Sequence, residues 1–144
     1  MTDIIYEHKI QYYETDQMKI VHHSNYIRWF EEARVSLLET IDCSYDKLEK
    51  MGIVSPVLGV TAEYKSMSRF GETVAIETRM TYYNGVKFSL FYTIRDKETG
   101  VIRCTGESRH CFLNEQGMPL SLKRSYPEVH RIFEEMADLQ VRPE

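Results

Sequence analysis

The sequence has only three cysteines, Cys43, Cys104 and Cys111, an odd number with no CxxC spacing. Neither a disulfide framework nor a zinc module follows from them, so a reducing cytoplasm is the expected setting and Cys43 and Cys111 read as small buried hydrophobes. Basic charge is not in excess: 18 Lys plus Arg stand against 22 Asp plus Glu, a net charge of −4. A nucleic-acid partner needs a basic face, so none is expected. No run of roughly 18 apolar residues occurs, and no membrane partner is expected either. Met1-Thr2-Asp3 opens acidic and without an apolar run, so no secretory leader is expected. There is no GxGxxG and no GxxxxGK followed by Ser or Thr, which leaves a nucleotide cradle unsupported. Gly106-Glu107-Ser108-Arg109-His110 lacks the last Gly of a nucleophile elbow and lies in a strand pattern, so serine hydrolysis is set aside. With four Pro, no linker and no repeat, the chain reads as a single domain over residues 1–144.

What the sequence does have is aromatics. Ten Tyr and six Phe in a chain that is 42% hydrophobic favour pleated surfaces. Ile4 to Tyr13 reads as a strand that feeds a polar loop, Glu14-Thr15-Asp16-Gln17. Ser24 or Asn25 then has the chemistry of a helix N-cap. Tyr26, Ile27, Trp29, Phe30, Ala33, Leu37, Leu38 and Ile41 follow at helical spacing, a wide apolar face that predicts a long, largely buried helix. A short helix follows, capped by Ser44 and ended by Gly52. Val54–Met67, Thr73–Tyr83, Val86–Asp96 and Val101–Asn114 read as strands. Asn84-Gly85 predicts a type I′ hairpin between the middle two, and Lys97–Gly100 a further turn. Ser125, Pro127 and Glu128 read as a capping box for a terminal helix to Leu139, with Val129, Ile132, Phe133 and Met136 as its apolar stripe. The fold class is α+β: one long antiparallel sheet with an early buried helix.

Asp16 to Tyr26 is the segment with chemistry. It sets a carboxylate in a loop before a long helix, with His22 and His23 at the helix entrance. A helix N-terminus has unpaired N–H groups and about half a unit of positive charge, which suits an oxygen that becomes negative during reaction. A carboxylate nearby could attack a carbonyl or draw a proton from water. On spacing alone the plainer reading of Asp16 is a turn residue. His22-His23 is a solvated or core pair rather than a metal site, because no third ligand stands at a metal spacing.

The run Tyr13-Glu14-Thr15-Asp16-Gln17-Met18-Lys19-Ile20-Val21-His22-His23-Ser24-Asn25-Tyr26, continued by the aromatic and acidic helix opening that ends in Ala33-Arg34, resembles the signature of the 4-hydroxybenzoyl-CoA thioesterase family. Tyr64-Lys65-Ser66-Met67-Ser68-Arg69-Phe70-Gly71-Glu72 is similar to that family's second landmark. The resemblance implies a hot-dog fold, a curved antiparallel sheet wrapped around one long central helix. It also implies a homodimer or homotetramer with active sites at the dimer interface. On it the catalytic carboxylate falls on Asp16, and the N–H that polarises the thioester carbonyl falls on His23. Val21 and Tyr26 match structural positions, Tyr26 also lining the acyl pocket, and Lys65, Arg69 and Lys87 are the candidates for binding coenzyme A. No cofactor is implied beyond the coenzyme A of the substrate, and no metal. The family's Gly three residues after the Asp is Lys19 here. If that position demands positive φ, a lysine there is strained. The implied activity is hydrolysis of an acyl-CoA. The alternatives are a hot-dog hydratase or dehydratase, with His22, His23 or His110 as its base, and a catalytically silent hot-dog protein that binds an acyl thioester.

Overall fold

A computed structural model describes residues 4–141. Four long strands build the sheet with a short fifth: β1 (Ile4–Lys9), β2 (Val57–Tyr64), β3 (Thr73–Tyr83), β4 (Lys87–Asp96) and β5 (Ile102–Cys111). They lie in the order β1-β3-β4-β5-β2, every pair antiparallel. The period-two pattern sets which face is buried. Val74, Ile76, Thr78 and Met80 of β3, and Phe88, Leu90, Tyr92 and Ile94 of β4, all point inward. The helix α1 (Ser24–Thr40) lies across that face and buries Tyr26, Trp29, Phe30, Ala33, Leu37 and Leu38. The α+β hot-dog arrangement that the sequence implied is therefore the one observed.

Phe30 shows how closely helix and sheet meet. Its ring stacks on Tyr92 with centroids 4.4 Å apart. Across β5, Gly106 leaves room for it. A Cβ there would sit 2.6 Å from the Phe30 ring and collide with the Thr61 carbonyl oxygen. α2 (Tyr45–Lys50) follows α1, capped by Ser44, whose hydroxyl accepts the Lys47 N–H. A short α3 (Leu122–Ser125) leads into α4 (Pro127–Gln140), which packs Val129, Phe133 and Met136 on the sheet. Phe133 closes a cluster with Tyr83, Phe88 and Phe112. At the β-bulge between Met80 and Tyr82, Gln140 Oε1 accepts the Met80 N–H.

Several local expectations are corrected. β1 stops at Lys9, and Tyr12–Glu14 forms a 3-10 turn, because Glu14 takes the Gln11 N–H with its side chain. β2 is shorter than Val54–Met67 and β5 shorter than Val101–Asn114; Val54 and Leu113 keep only an isolated bridge. Neither Ser24 nor Asn25 caps α1. The N-cap is His23, and the Asn25 side chain instead donates to the Glu14 carbonyl. Ile27 is exposed rather than part of the buried face. Of Asn84-Gly85 only Gly85 has positive φ, so the turn is not type I′; Asn84 Oδ1 accepts the Val86 and Lys87 N–H groups instead. The cap of the tail moves too: Ser121 caps α3, and Tyr126 precedes Pro127 at the start of α4.

Replacing Gly106 with Ala is expected to destabilise the protein by about 1–3 kcal/mol, the usual cost of overpacking a filled core. Urea unfolding checks it, and a stability equal to wild type would mean that α1 does not press on β5 at this point.

Candidate active site

The loop between the 3-10 turn and α1 folds back on itself. Thr15 and Val21 form an antiparallel bridge, and the Asp16 N–H reaches the Ile20 carbonyl. Asp16 to Lys19 closes as a β-turn, the Lys19 N–H donating to the Asp16 carbonyl at 2.9 Å. Asp16 Oδ1 accepts the Met18 N–H at 2.8 Å, the Asx-turn that the plainer reading predicted. Oδ2 makes no hydrogen bond among the described residues, and Asp16 is half-buried, so one carboxylate oxygen stays available. Lys19 has φ 65°, the left-handed conformation that favours glycine. The strain anticipated for a lysine at this position is present.

The second half of the site is the start of α1. His22 donates its N–H to the Glu14 carbonyl, the Asn25 N–H returns to the His22 carbonyl, and the Ser24 N–H meets His22 Nδ1 at 3.3 Å. The His23 N–H has no acceptor among the described residues. It stands as an open donor at the positive end of a 17-residue helix. The His23 side chain is exposed, its ring 4.2 Å from that of His22. No group of three or more His, Cys, Asp or Glu side chains suited to a metal occurs among the described residues.

The second landmark packs against this entrance. Val21 donates its N–H to the Ser68 carbonyl, the Tyr26 hydroxyl donates to Ser68 Oγ at 3.1 Å, and the Tyr64 hydroxyl donates to the His23 carbonyl at 3.3 Å. Tyr26 and Tyr64 meet edge to face at 5.4 Å and wall the helix entrance. Val21, His23 and Tyr26 are thus drawn together around Ser68 and Tyr64, whereas the contacts of Asp16 stay within its own loop, to Met18, Lys19 and Ile20. Arg69 directly follows Ser68 and is exposed. Lys65 follows Tyr64, and its ammonium pairs with Glu63 at 2.9 Å. Lys87 is not brought here within one chain. Tyr64 is opposite Cys104, Cys104 is opposite Ile94, and Lys87 lies seven residues back along β4 from Ile94, roughly 24 Å away.

Glu14, which the sequence offered only as a polar loop residue, is the buried support of the site. Its side chain is held by three donors: Gln11 N–H and His8 Nε2 on Oε1, and Trp29 Nε1 on Oε2, each at 2.8 Å. Burial pushes its carboxyl upward, but the Gln11, His8 and Trp29 donors outweigh burial and hold it below its ordinary 4.5. Its carbonyl meanwhile accepts from both His22 and Asn25. Trp29 and His8, its partners at 2.8 Å, lie 15 residues after it and six before, so no local spacing announces the network. The three cysteines are buried free thiols, Cys43 and Cys111 as read and Cys104 with them, and burial pushes Cys43 up to about 11 and Cys104 to about 12.

Residues 10–134 match the thioesterase-like superfamily. The chain is 34% identical over 129 residues to YneP of Bacillus subtilis, named as a candidate acyl-CoA thioesterase, covering 89% of this chain and 93% of that one. It is 29% identical over 87 residues to the acyl-CoA thioester hydrolase YbgC of Escherichia coli, covering 60% of this chain and 63% of that one. Among solved structures, the DHNA-CoA thioesterase of Staphylococcus aureus superposes with a TM-score of 0.90 at 31% identity, covering 96% of this chain and 93% of that one. The fold and these likenesses define the class, a hot-dog protein. The chain belongs to the thioesterase-like superfamily.

Glu14→Gln keeps the size of the side chain and removes its charge. It is expected to lose about 1.5–3 kcal/mol of stability near neutral pH, the worth of hydrogen bonds to a buried charge. Because the folded pKa is lowered, the wild-type contribution is complete above 4.5 and is lost as pH falls through the folded value. The gap between the two proteins in urea unfolding should therefore narrow as pH falls below 4.5. A gap independent of pH would show that the charge of Glu14 is not what holds the loop.

Proposed function

We propose that catalysis runs from Asp16 and the His23 N–H, on the thioester of an acyl-CoA. The chain is a thioester hydrolase: water and acyl-S-CoA give a carboxylic acid and free CoA-SH. The observation that carries the reading is that one loop leads from a carboxylate with a free oxygen to a helix N-terminal N–H with no acceptor among the described residues, the helix end being fixed by the Glu14 and Ser68 contacts. The His23 N–H, aided by the helix dipole, receives the carbonyl oxygen as it gains charge. Asp16 either attacks the carbonyl carbon, giving a mixed anhydride that water then opens, or takes a proton from the water that attacks. Either route expels the CoA thiolate; it is protonated by the proton that Asp16 took from water in the general-base route, and by solvent water in the anhydride route, whose hydroxide is neutralised by the carboxylic acid released when water opens the anhydride. The His23 side chain has no part, because the peptide N–H does the work. His110, the hydratase reading's candidate, is buried with Nε2 on Ser108 Oγ, and burial together with the Arg34 charge pushes it down to about 3.

Arg69 and Lys65, beside the entrance, suit the phosphates of coenzyme A, and Lys87 serves them only from a second copy. No cofactor is required. A second copy is also what the sheet asks for. β2 is an outer strand paired only with β5, and Val57, Leu58, Val60 and Tyr64 on it are all at least 40% exposed. An open apolar edge invites another strand, and a homodimer through β2 covers it. Three reduced thiols fit a cytoplasmic setting. The DHNA-CoA named for the Staphylococcus aureus relative favours an acyl group of that kind here.

Two measurements test this. Thiol release from short, long and aromatic acyl-CoAs, followed with a thiol reagent, should fall about 10²–10⁴-fold in Asp16→Asn with the melting curve unchanged; turnover near wild type would remove Asp16 from the reaction. Sedimentation equilibrium should give a particle of twice the 17.0 kDa chain mass, and a 17.0 kDa particle at working concentration would overturn the β2 interface.

A further inference from the structure

A helix begins with N–H groups that find no partner inside the helix. At the start of α1 almost every such donor is taken. The His22 N–H goes to the Glu14 carbonyl, the Asn25 N–H to the His22 carbonyl at 3.0 Å, and the Tyr26 N–H to the His23 carbonyl at 3.3 Å. The Ser24 N–H goes to a side chain, His22 Nδ1, at 3.3 Å. Among the described residues only the His23 N–H is left over. The donor offered to a reacting oxygen is therefore defined by what occupies its neighbours, and one neighbour is occupied by a ring that titrates.

The contacts fix the state of that ring. A backbone N–H can only donate, so the Nδ1 that receives it carries no proton. The Ser24 hydroxyl, 2.8 Å from the same nitrogen, then donates to it as well. His22 is thus neutral, with its proton on Nε2. It does for the Ser24 N–H what a Ser, Asp or Asn side chain does at a helix N-cap. Unlike those caps it loses its acceptor on protonation, because an imidazolium carries a proton on both nitrogens. Nδ1–H would then face the Ser24 N–H, and the charge would stand at the positive end of a 17-residue helix. The titratable groups around the ring do not offset that charge. They are His23 of the same turn, its ring 4.2 Å away, Tyr64 of β2, 6.1 Å from the His23 ring, and Asp16 and Lys19 of the incoming loop. The Glu14 carboxylate is spent on His8, Gln11 and Trp29. Among the described residues no carboxylate lies within ion-pair distance of His22 or His23; the histidines so paired are His8 and His130.

Resting on the hydrolase reading above, we propose that His22 is a positioning residue for the oxyanion donor: a helix cap that holds the Ser24 N–H while neutral and releases it when protonated. With the cap in place the first turn of α1 is tied through Glu14, His22 and Tyr64, and the His23 N–H has a fixed aim. With the cap released that turn loses one tie, and the His23 N–H loses its aim. His22 touches no reacting atom and acts through Ser24. The sign follows from the acceptor. The competent form is the deprotonated one, so kcat rises with pH across the range of roughly pH 5–8 in which a histidine changes charge.

The test follows thiol release from saturating acyl-CoA, with a reagent that reads thiols at acid pH, in wild type, His22→Asn and His22→Ala. His22→Asn supplies an acceptor for the Ser24 N–H that does not titrate, and His22→Ala supplies none. At the alkaline end of that range His22→Asn should match wild type, and His22→Ala should have a kcat about 3- to 10-fold lower, the worth of a helix cap, with KM little changed. At the acid end wild type should fall to the level of His22→Ala while His22→Asn stays above both by the same factor. Any dependence on pH that Asp16 adds is common to the three proteins and cancels in their ratios. A ratio of His22→Asn to wild type that is constant with pH, or a His22→Ala equal to wild type throughout, overturns the proposal and leaves the hydrolase reading intact. Absence of turnover in all three counts against that reading instead. The cap is then decided by nitrogen NMR of the wild-type protein: the Ser24 and His23 amides should titrate together with the His22 ring, and a Ser24 amide that does not follow the ring overturns the proposal.

Discussion

A helix can offer its first N–H groups to a reacting oxygen only if nothing in its own chain satisfies them. Yet the segment entering the helix must be held in one place. Glu14 resolves this conflict. Its carbonyl takes the His22 N–H and the Asn25 side chain, which fixes the approach to α1 from below while the His23 N–H is left open. Its carboxylate binds Trp29 one and a half turns into the helix, His8 on β1 and the Gln11 N–H of the 3-10 turn. Three elements thus converge on one buried charge, and a buried charge tolerates loss of its donors poorly. His8 in turn lies 3.4 Å from Glu32, which also accepts the Tyr6 hydroxyl, so the network runs out to the protein surface. Asp16, two residues further on, is spared this role. One loop carries two carboxylates: one consumed by structure, one left with a free oxygen.

The fold was legible in the sequence wherever burial imposes a period. Alternation placed the inward residues of β3 and β4 on the correct face, and helical spacing found α1 and the stripe of α4. Where side chains compete for backbone groups the sequence misled. Ser24 and Asn25 have the right chemistry for an N-cap, but Asn25 finds a better acceptor in the Glu14 carbonyl. Asn84 Oδ1 accepts the N–H groups of Val86 and Lys87, and Asn84 does not adopt positive φ. Ends of strands drifted for the same reason: Glu14 captures the Gln11 N–H and curls the chain into a 3-10 turn where the apolar pattern alone would continue β1.

The site was legible only through resemblance. Spacing made Asp16 a turn residue, and it is one, its Oδ1 closing an Asx-turn while its other oxygen makes no hydrogen bond among the described residues. Tyr64, Ser68 and Glu14 have no periodic signature, because their partners lie 41, 42 and 15 residues away along the chain. Lys19 is the informative departure. A lysine at φ 65° costs on the order of 1–2 kcal/mol over glycine-like freedom, yet the turn is still closed by the Lys19 N–H on the Asp16 carbonyl. The loop geometry survives the substitution because it is held from outside, by the Thr15–Val21 bridge and by Ser68.

One strand joins the helix entrance to the edge of the sheet. β2 supplies Tyr64 at the entrance and Val57 and Val60 along its seam with α1, and the same strand is the outer strand of the sheet. Gly59 within it lies under the Arg109 guanidinium, so no side chain at that position holds the two strands apart. The exposed apolar residues of that edge, Val57 and Val60, and the Tyr64 hydroxyl that holds the His23 carbonyl therefore sit on one strand, so any shift of β2 along β5 moves the helix entrance with it.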